Sequence, residues 1–422
     1  MKKIILLFLL ALTIGAQAQF KDHFKNKTLR IDYMHSGSAP VEYYMFDTLF
    51  IEKYWGGSKT NLIDAFDYGN YKFEVYDAET NELIYSRGYS SLFREYQSTE
   101  EGKSSCKSFD ETIVFPYPKH KVNISFYSRK ADLSWSKEFI LQVDPKTRDI
   151  QKNGQKKFKT SKVHYSGNPN KKLDIVIIAE GYTAADMDKF EQDCDRFRDY
   201  ILESEPYIQN KDKINIWAVR SVSEESGTDL PGEDIWKNTV VNTNFYTFGS
   251  ERYLTTEDMK SVRDVAANAP YDQIFILVNH EKYGGGGIYN FYSLGTSDNP
   301  AGDFLFQHEF GHAFAGLGDE YYTSDVAVED FYPLDVEPWE PNITTMVHFT
   351  AKWANMVSQD TPVPTPATEG YLNKVGVYEG GGYVAKGVYR PYIDCTMKSV
   401  RYDAFCPVCL RAIQRMIDFY AE

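Results

Sequence analysis

Several things are scarce in this sequence, and each shortage removes a class of function. Beyond residue 18 no run approaches the roughly 20 apolar residues a membrane helix needs, so no membrane insertion is expected. Basic residues are in deficit, 46 against 60 acidic ones, for a formal net charge of −14. That balance works against nucleic acid or an anionic membrane surface as a partner. Internal repeats and low-complexity segments are missing. The run Gly284 to Gly287 lacks the Lys and the Ser or Thr of a phosphate-binding loop, and reads as a flexible turn into a strand, Ile288 to Tyr292. Only five cysteines occur, Cys106, Cys194, Cys395, Cys406 and Cys409, and the odd count leaves at least one unpaired.

What is present begins with an export signal. Lys2 and Lys3 precede the apolar run Ile4 to Ile14, and Ala16-Gln17-Ala18 stands before Gln19, the pattern of a signal peptide over residues 1–18. The residue directly after that cleavage point is Gln19 and not cysteine, so a lipid anchor has no acceptor thiol there. The expected location is the periplasm or the exterior, where thiols tend to pair.

A chain of 422 residues, 42% hydrophobic and 15% aromatic, exceeds what one core holds. From about Lys21 to Asp144 polar and apolar residues alternate in short runs, among them Thr28 to Tyr33, Tyr71 to Tyr76, Val122 to Tyr127 and Phe139 to Val143. This predicts an N-terminal all-β sandwich over residues 19–145. Lysines and Arg148 gather around Gly154 while apolar residues thin out, which places a linker at 146–162. The remainder, 163–422, reads as an α/β domain: strands Leu173 to Ala179, Ile214 to Val219 and Gln273 to Val278 alternate with helical stretches Ala184 to Ile208 and Thr256 to Asn268.

The chemistry is concentrated in His308-Glu309-Phe310-Gly311-His312, an HExxH pattern on a helix-compatible run. With eight histidines in the chain, chance yields this pattern on the order of 0.01 times. One helical turn separates the histidines, so both imidazoles can reach one cation, while Glu309 falls beside them as a general base. A catalytic zinc needs a third protein ligand. A continued helix would carry residue 319 about 10 Å past His312; Gly316 and Gly318 allow the helix to end in the left-handed conformation and the chain to fold back. Asp319 is therefore the expected third ligand, with Glu320 the runner-up and His280, His348 and Asp394 as distant alternatives.

The stretch from His308 through Gly316 to Asp319 and Tyr321 resembles the signature of the IgA-peptidase family of zinc metallopeptidases. That family is similar to the metzincins with one extra residue before the glycine turn. The likeness takes in Ile276 to Asn290 and the tail with Cys395, Met397, Cys406 and Cys409, and it spans roughly residues 165 to 422. The N-terminal half resembles the β-sandwich that accompanies the family. The resemblance implies a metzincin-like peptidase fold, one catalytic Zn²⁺, and Met397 as a methionine turn under the metal. Cleavage of IgA does not follow from it. Among Cys395, Cys406 and Cys409 no fourth metal ligand is evident, and the exported context favours a disulfide there.

The function expected is thus a secreted zinc endopeptidase acting on a protein or glycoprotein, with a water held by Glu309 attacking a metal-polarised peptide carbonyl. Tyr321, Tyr322 or Tyr402 would serve as an oxyanion donor, and Ile288 to Tyr292 as the edge strand that pairs with substrate. The alternative is a noncatalytic protein- or glycan-binding protein with a structural zinc, against which the intact Glu309 argues.

Overall fold

The period-two pattern of the N-terminal part becomes two four-stranded sheets. The computed structural model describes residues 19–152, 156–322, 332–400 and 404–421. Strands β1 (Phe24–Ser38), β2 (Val41–Glu52), β5 (Lys107–Pro118) and β8 (Ile150–Gln151) form one sheet in the order β5-β1-β2-β8. Strands β3 (Tyr71–Asp77), β4 (Leu83–Tyr89), β6 (Val122–Arg129) and β7 (Trp135–Val143) form the other, in the order β4-β3-β6-β7. Along β3 burial alternates residue by residue, as one-sided packing requires. Aromatic rings fill the space between the sheets: Tyr33 meets Phe126 at 5.3 Å and Phe73 meets Phe115 at 6.1 Å. Helices Leu92–Ser98 and Glu100–Ser104 interrupt the strands, so this part is β-rich and not all-β.

The second part is built on a six-stranded mixed sheet of β9 (Thr160–Tyr165), β10 (Leu173–Glu180), β11 (Ile214–Val219), β12 (Gln273–Val278), β13 (Gly285–Ile288) and β14 (Tyr292–Thr296), ordered β13-β14-β12-β10-β11-β9. The inner four strands are parallel, and β9 and β13 run antiparallel at the two edges. Every residue of β10 is buried, because both faces of a parallel sheet are covered.

Its alternate side chains go to two different cores. Leu173, Ile175, Ile177 and Ala179 join helix Met187–Leu202, the motif helix Gly302–Ala315 and the terminal helix Pro407–Tyr420. Val176 and Ile178 face the other way, into a core continuous with Ile31, Phe73 and Phe115 of the N-terminal sheets. Each such aliphatic side chain stabilises by about 1.5–3 kcal/mol on leaving water, so the N-terminal sheets act as the cover of this face. Polar ties reinforce the contact: Arg30 pairs with Asp264 at 2.6 Å, and Arg263 Nε donates to Thr112 Oγ1 at 3.0 Å.

The basic stretch 146–162 pairs at both ends. Ile150 and Gln151 lie parallel to Leu49 and Phe50, and β9 begins at Thr160 beside Val219. Among the described residues no helix is long and apolar enough to cross a membrane.

Candidate metal centre

The motif helix Gly302–Ala315 is apolar almost all round, so it is buried almost all round. Phe306, Phe310 and Phe314 stack along one face, with ring centroids 5.9 and 5.1 Å apart. His308 and His312 occupy another face, one turn apart. Gly316 ends the helix at φ 63°; its N–H donates to the His312 carbonyl at 3.1 Å, and that of Leu317 to the Gly311 carbonyl at 3.2 Å. Gly318 is not left-handed. It is small for a different reason, since a Cβ there would stand 2.8 Å from Ile343.

The glycine run is a strand, and the sequence reading of it needs correction. Gly285–Ile288 forms the edge strand β13, while residues 289–291 turn the hairpin into β14, with Asn290 at φ 51°. A Cβ on Gly287 would lie 2.1 Å from the Glu309 carbonyl oxygen, and one on Gly285 would lie 2.9 Å from Glu309 Cγ. Glycine is what lets this strand press against the motif helix. The outer edge of β13 is taken at its first residue: Tyr253 bridges Gly285, and the Leu254 N–H points at the Gly285 carbonyl.

Three donor atoms converge above the helix. His308 Nε2 and His312 Nε2 are 3.1 Å apart, and Asp319 Oδ1 lies 3.1 Å from the first and 3.3 Å from the second. Donors bound to a tetrahedral zinc at about 2.0–2.1 Å stand roughly 3.3–3.4 Å from one another. The triangle therefore has the size of one face of such a site, and Asp319 Oδ1, buried with no hydrogen-bond partner, is oriented for a cation.

The other atom of each group is occupied. His308 Nδ1 meets the Thr396 carbonyl at 3.0 Å and His312 Nδ1 the Leu317 carbonyl at 2.6 Å, so each Nδ1–H donates to a carbonyl and each Nε2 is left facing the triangle. Tyr383 Oη donates to Asp319 Oδ2. Burial alone would raise the Asp319 carboxyl, but His312 and His308 more than reverse this and hold it well below the ordinary carboxylate range.

Glu309 is half-buried beside the triangle and contributes no atom to it. Burial pushes its carboxyl above the ordinary value, against the pull of His308 and His312. Met397 lies beneath in a turn closed from Lys398 N–H to the Cys395 carbonyl at 2.8 Å; its sulfur would be 3.0 Å from a Cβ on Gly311.

The remaining sequence candidates stand elsewhere. Glu320 turns away from the histidines, towards Asn342 and Cys409. His280 Nδ1 accepts from the Lys282 N–H, His348 is exposed, and Asp394 accepts from the Cys395 N–H. Tyr321 packs on Tyr383 at 5.2 Å, Tyr322 lies under Arg390, and Tyr402 is outside the described residues.

Two residues near the site were missed in the sequence. Tyr383 sits at the tip of the hairpin β15 (Tyr378–Gly381) and β16 (Val384–Arg390) with φ 67°, beside Gly382 at φ 55°. The glycine cluster Gly380 to Gly382 was a signal for that turn. A tyrosine held at positive φ is strained. Glu95 comes from the N-terminal part: it accepts from Tyr253 Oη at 2.5 Å, and it feels the charges of His312, Glu309 and Asp319, its carboxyl pushed up to about 7 chiefly by burial.

The family model described as IgA Peptidase M64 matches residues 162–373 and 367–417, and the one described as Peptidase M64 N-terminus matches residues 19–140. The chain belongs to the IgA Peptidase M64 family. Membership implies peptidase activity on a protein substrate in a metallopeptidase family, and the M64 N-terminal match coincides with the β-rich part that contributes Glu95. No curated protein matches the chain.

Proposed function

We propose that this M64 chain is an exported, zinc-dependent endopeptidase that cleaves extended segments of extracellular proteins or glycoproteins. The observation that carries this reading is the donor triangle of His308, His312 and Asp319 with Glu309 alongside but outside it. Structural zinc sites are closed by four protein ligands; here three protein donors converge and the adjacent carboxylate is left for proton transfer. The glycine-ended helix and the methionine turn under Gly311 support a metzincin-like arrangement. Zinc at this position would supply Lewis acidity to the scissile carbonyl and make water a nucleophile near neutral pH.

The chain's own residues do the rest. Glu309 takes the proton from the attacking water and delivers it to the leaving amine as the C–N bond breaks. The Thr396 and Leu317 carbonyls fix the two imidazoles, and Tyr383 fixes Asp319. Side-chain exposure is 10% at His308, 17% at His312 and 7% at Asp319, and donors so largely covered favour a thin, extended segment over a folded surface as substrate. The outer edge of β13 is already bridged by Tyr253 at Gly285, so the reading does not rest on strand addition there.

The test is incubation of zinc-loaded protein with unfolded proteins, hinge-containing immunoglobulins and mucin-type glycoproteins, followed by mass spectrometry, with Glu309→Ala as control. Internal cleavage absent from the control is expected. Release of terminal residues only would make it an exopeptidase. The full chain is the proper reagent, because residues 160–422 alone would expose the core shared with the N-terminal sheets.

A second outcome tests the support of the site. Tyr383→Phe keeps the ring and removes the donor to Asp319 Oδ2, so zinc affinity should fall by about 10–100-fold, as outer-shell losses do. Competition with a chromogenic chelator measures it, and unchanged affinity would remove Tyr383 from the site.

A further inference from the structure

Outside the histidine site a second group of ligating side chains is drawn together. Glu320, Cys395, Cys406 and Cys409 each place one donor atom within 4.8 Å of all the others. All four are sealed from solvent, at 0%, 0%, 1% and 0% exposure. Cys406 caps the terminal helix Pro407–Tyr420 and Cys409 lies in its first turn. Cys395 opens the methionine turn, and Glu320 follows Asp319 directly.

None of the three cysteines is joined in a disulfide. Cys395 Sγ and Cys409 Sγ are 3.9 Å apart, and Cys409 Sγ is 3.2 Å from Glu320 Oε1. Sulfurs bound to a tetrahedral zinc at about 2.3 Å stand roughly 3.8 Å apart, which matches the first of these separations. The Cys406 N–H donates to Cys395 Sγ at 3.2 Å, which ties the start of the terminal helix to the methionine turn.

The alternatives leave groups stranded. A disulfide between any two of the sulfurs would still leave the third thiol buried within 4.8 Å of the Glu320 carboxyl group. Glu320 Oε1 accepts from Asn342 Nδ2 at 2.9 Å, but Oε2 is buried without a hydrogen-bond partner. The nearby buried cation, Arg390, directs Nη1 to the carbonyls of Glu379 and Gly380 instead. Arg390 reaches Glu320 only through the longer-range pull of its charge; burying a carboxylate among sulfurs is costly without a directly bound cation, and a divalent metal ion supplies one. Three sulfurs with one carboxylate, closed to solvent, select zinc over the hard cations.

We propose that Glu320, Cys395, Cys406 and Cys409 bind a second zinc ion in a closed, structural site. It goes beyond the peptidase reading and explains why adjacent acids occur at 319 and 320: each serves a different ion. The Glu320 N–H donates to the Met397 carbonyl at 2.8 Å. A metal here would therefore clamp together the loop that carries Asp319, the turn beneath the motif helix and the terminal helix.

The test is metal and thiol analysis of the full chain. Wild-type protein should hold two zinc ions per chain. The double variant His308→Ala/His312→Ala leaves the cysteine cluster untouched and should hold one, released in step with thiol modification by an organomercurial. Cobalt put in its place should give sulfur-to-metal charge-transfer absorption. In denaturant with chelator and no reductant, all five cysteines should titrate as thiols. A double variant free of metal, or a titration two thiols short, would overturn the site in favour of buried thiols or a disulfide. Wild-type protein with a single, organomercurial-releasable zinc would sink the histidine centre while leaving this one standing.

Discussion

Glu309→Ala should bind zinc as the wild type does and lose roughly 10²- to 10⁴-fold in kcat/KM on an unfolded protein substrate, the range supplied by one general acid–base group. The separation of the two effects follows from geometry. Glu309 gives no atom to the donor triangle, so the three ligands and their outer partners stay in place. Its Cγ and Oε1 lie over Gly285, where truncation leaves a half-open space and no orphaned polar partner. His308→Ala is the contrasting case, because it deletes one corner of the triangle and should lose the catalytic ion. Inductively coupled plasma analysis and kinetics on both variants measure this, and full activity in Glu309→Ala would end the mechanism.

The parts of the fold legible in the sequence were those set by local pattern. Ile214–Val219 and Gln273–Val278 were read to the residue, because a short run buried on both faces contrasts with everything around it. Helix Met187–Leu202 proved shorter than the helical stretch read from Ala184 to Ile208. Less legible was what depends on distant partners. The edge strand Gly285–Ile288 looked like a flexible turn because glycine carries no strand signal of its own. Its need for glycine comes from a helix that begins 14 residues after the strand ends and presses on its backbone. Nor could alternation reveal that β10 divides its side chains between a helical core and the N-terminal sheets, which makes the β-rich part a cover and not an appendage.

The same division runs through the site. His308, Glu309 and His312 share one helical turn, and Gly316 supplies the reversal that brings in Asp319, so the structure assembles a group whose spacing is nearly all local. Tyr383 lies 64 residues beyond Asp319, and Glu320 lies 89 residues from Cys409. No periodicity links such pairs. The fourth group beside the three cysteines was invisible in the sequence because it stood next to Asp319, where it read as a competitor for the same role.

That competition can be decided. The segment 319–321 is read by its neighbours as an extended strand is: the carbonyls of Asp319 and Tyr321 accept from Gly382 and Tyr383 N–H at 2.8 and 2.9 Å, while the Glu320 N–H points the other way, to Met397. In such a backbone successive side chains take opposite sides. Asp319 therefore meets the histidines and Glu320 meets the cysteines. Asp319→Ala should raise the dissociation constant of the catalytic zinc by more than the 10–100-fold of an outer-shell change and abolish peptidase activity, with the thermal midpoint little altered. Glu320→Ala should keep the histidine-bound zinc within about 10-fold of wild-type affinity and instead lower the midpoint by roughly 6–12 °C. That shift follows from about 3 kcal/mol for opening a buried charged cluster and about 2–4 °C per kcal/mol in a domain of this size. Chelator competition and circular-dichroism melting rank the two variants on separate axes. If Glu320→Ala proved the weaker binder at the histidines, the backbone between 316 and 321 would have to run differently, and both acids would exchange roles.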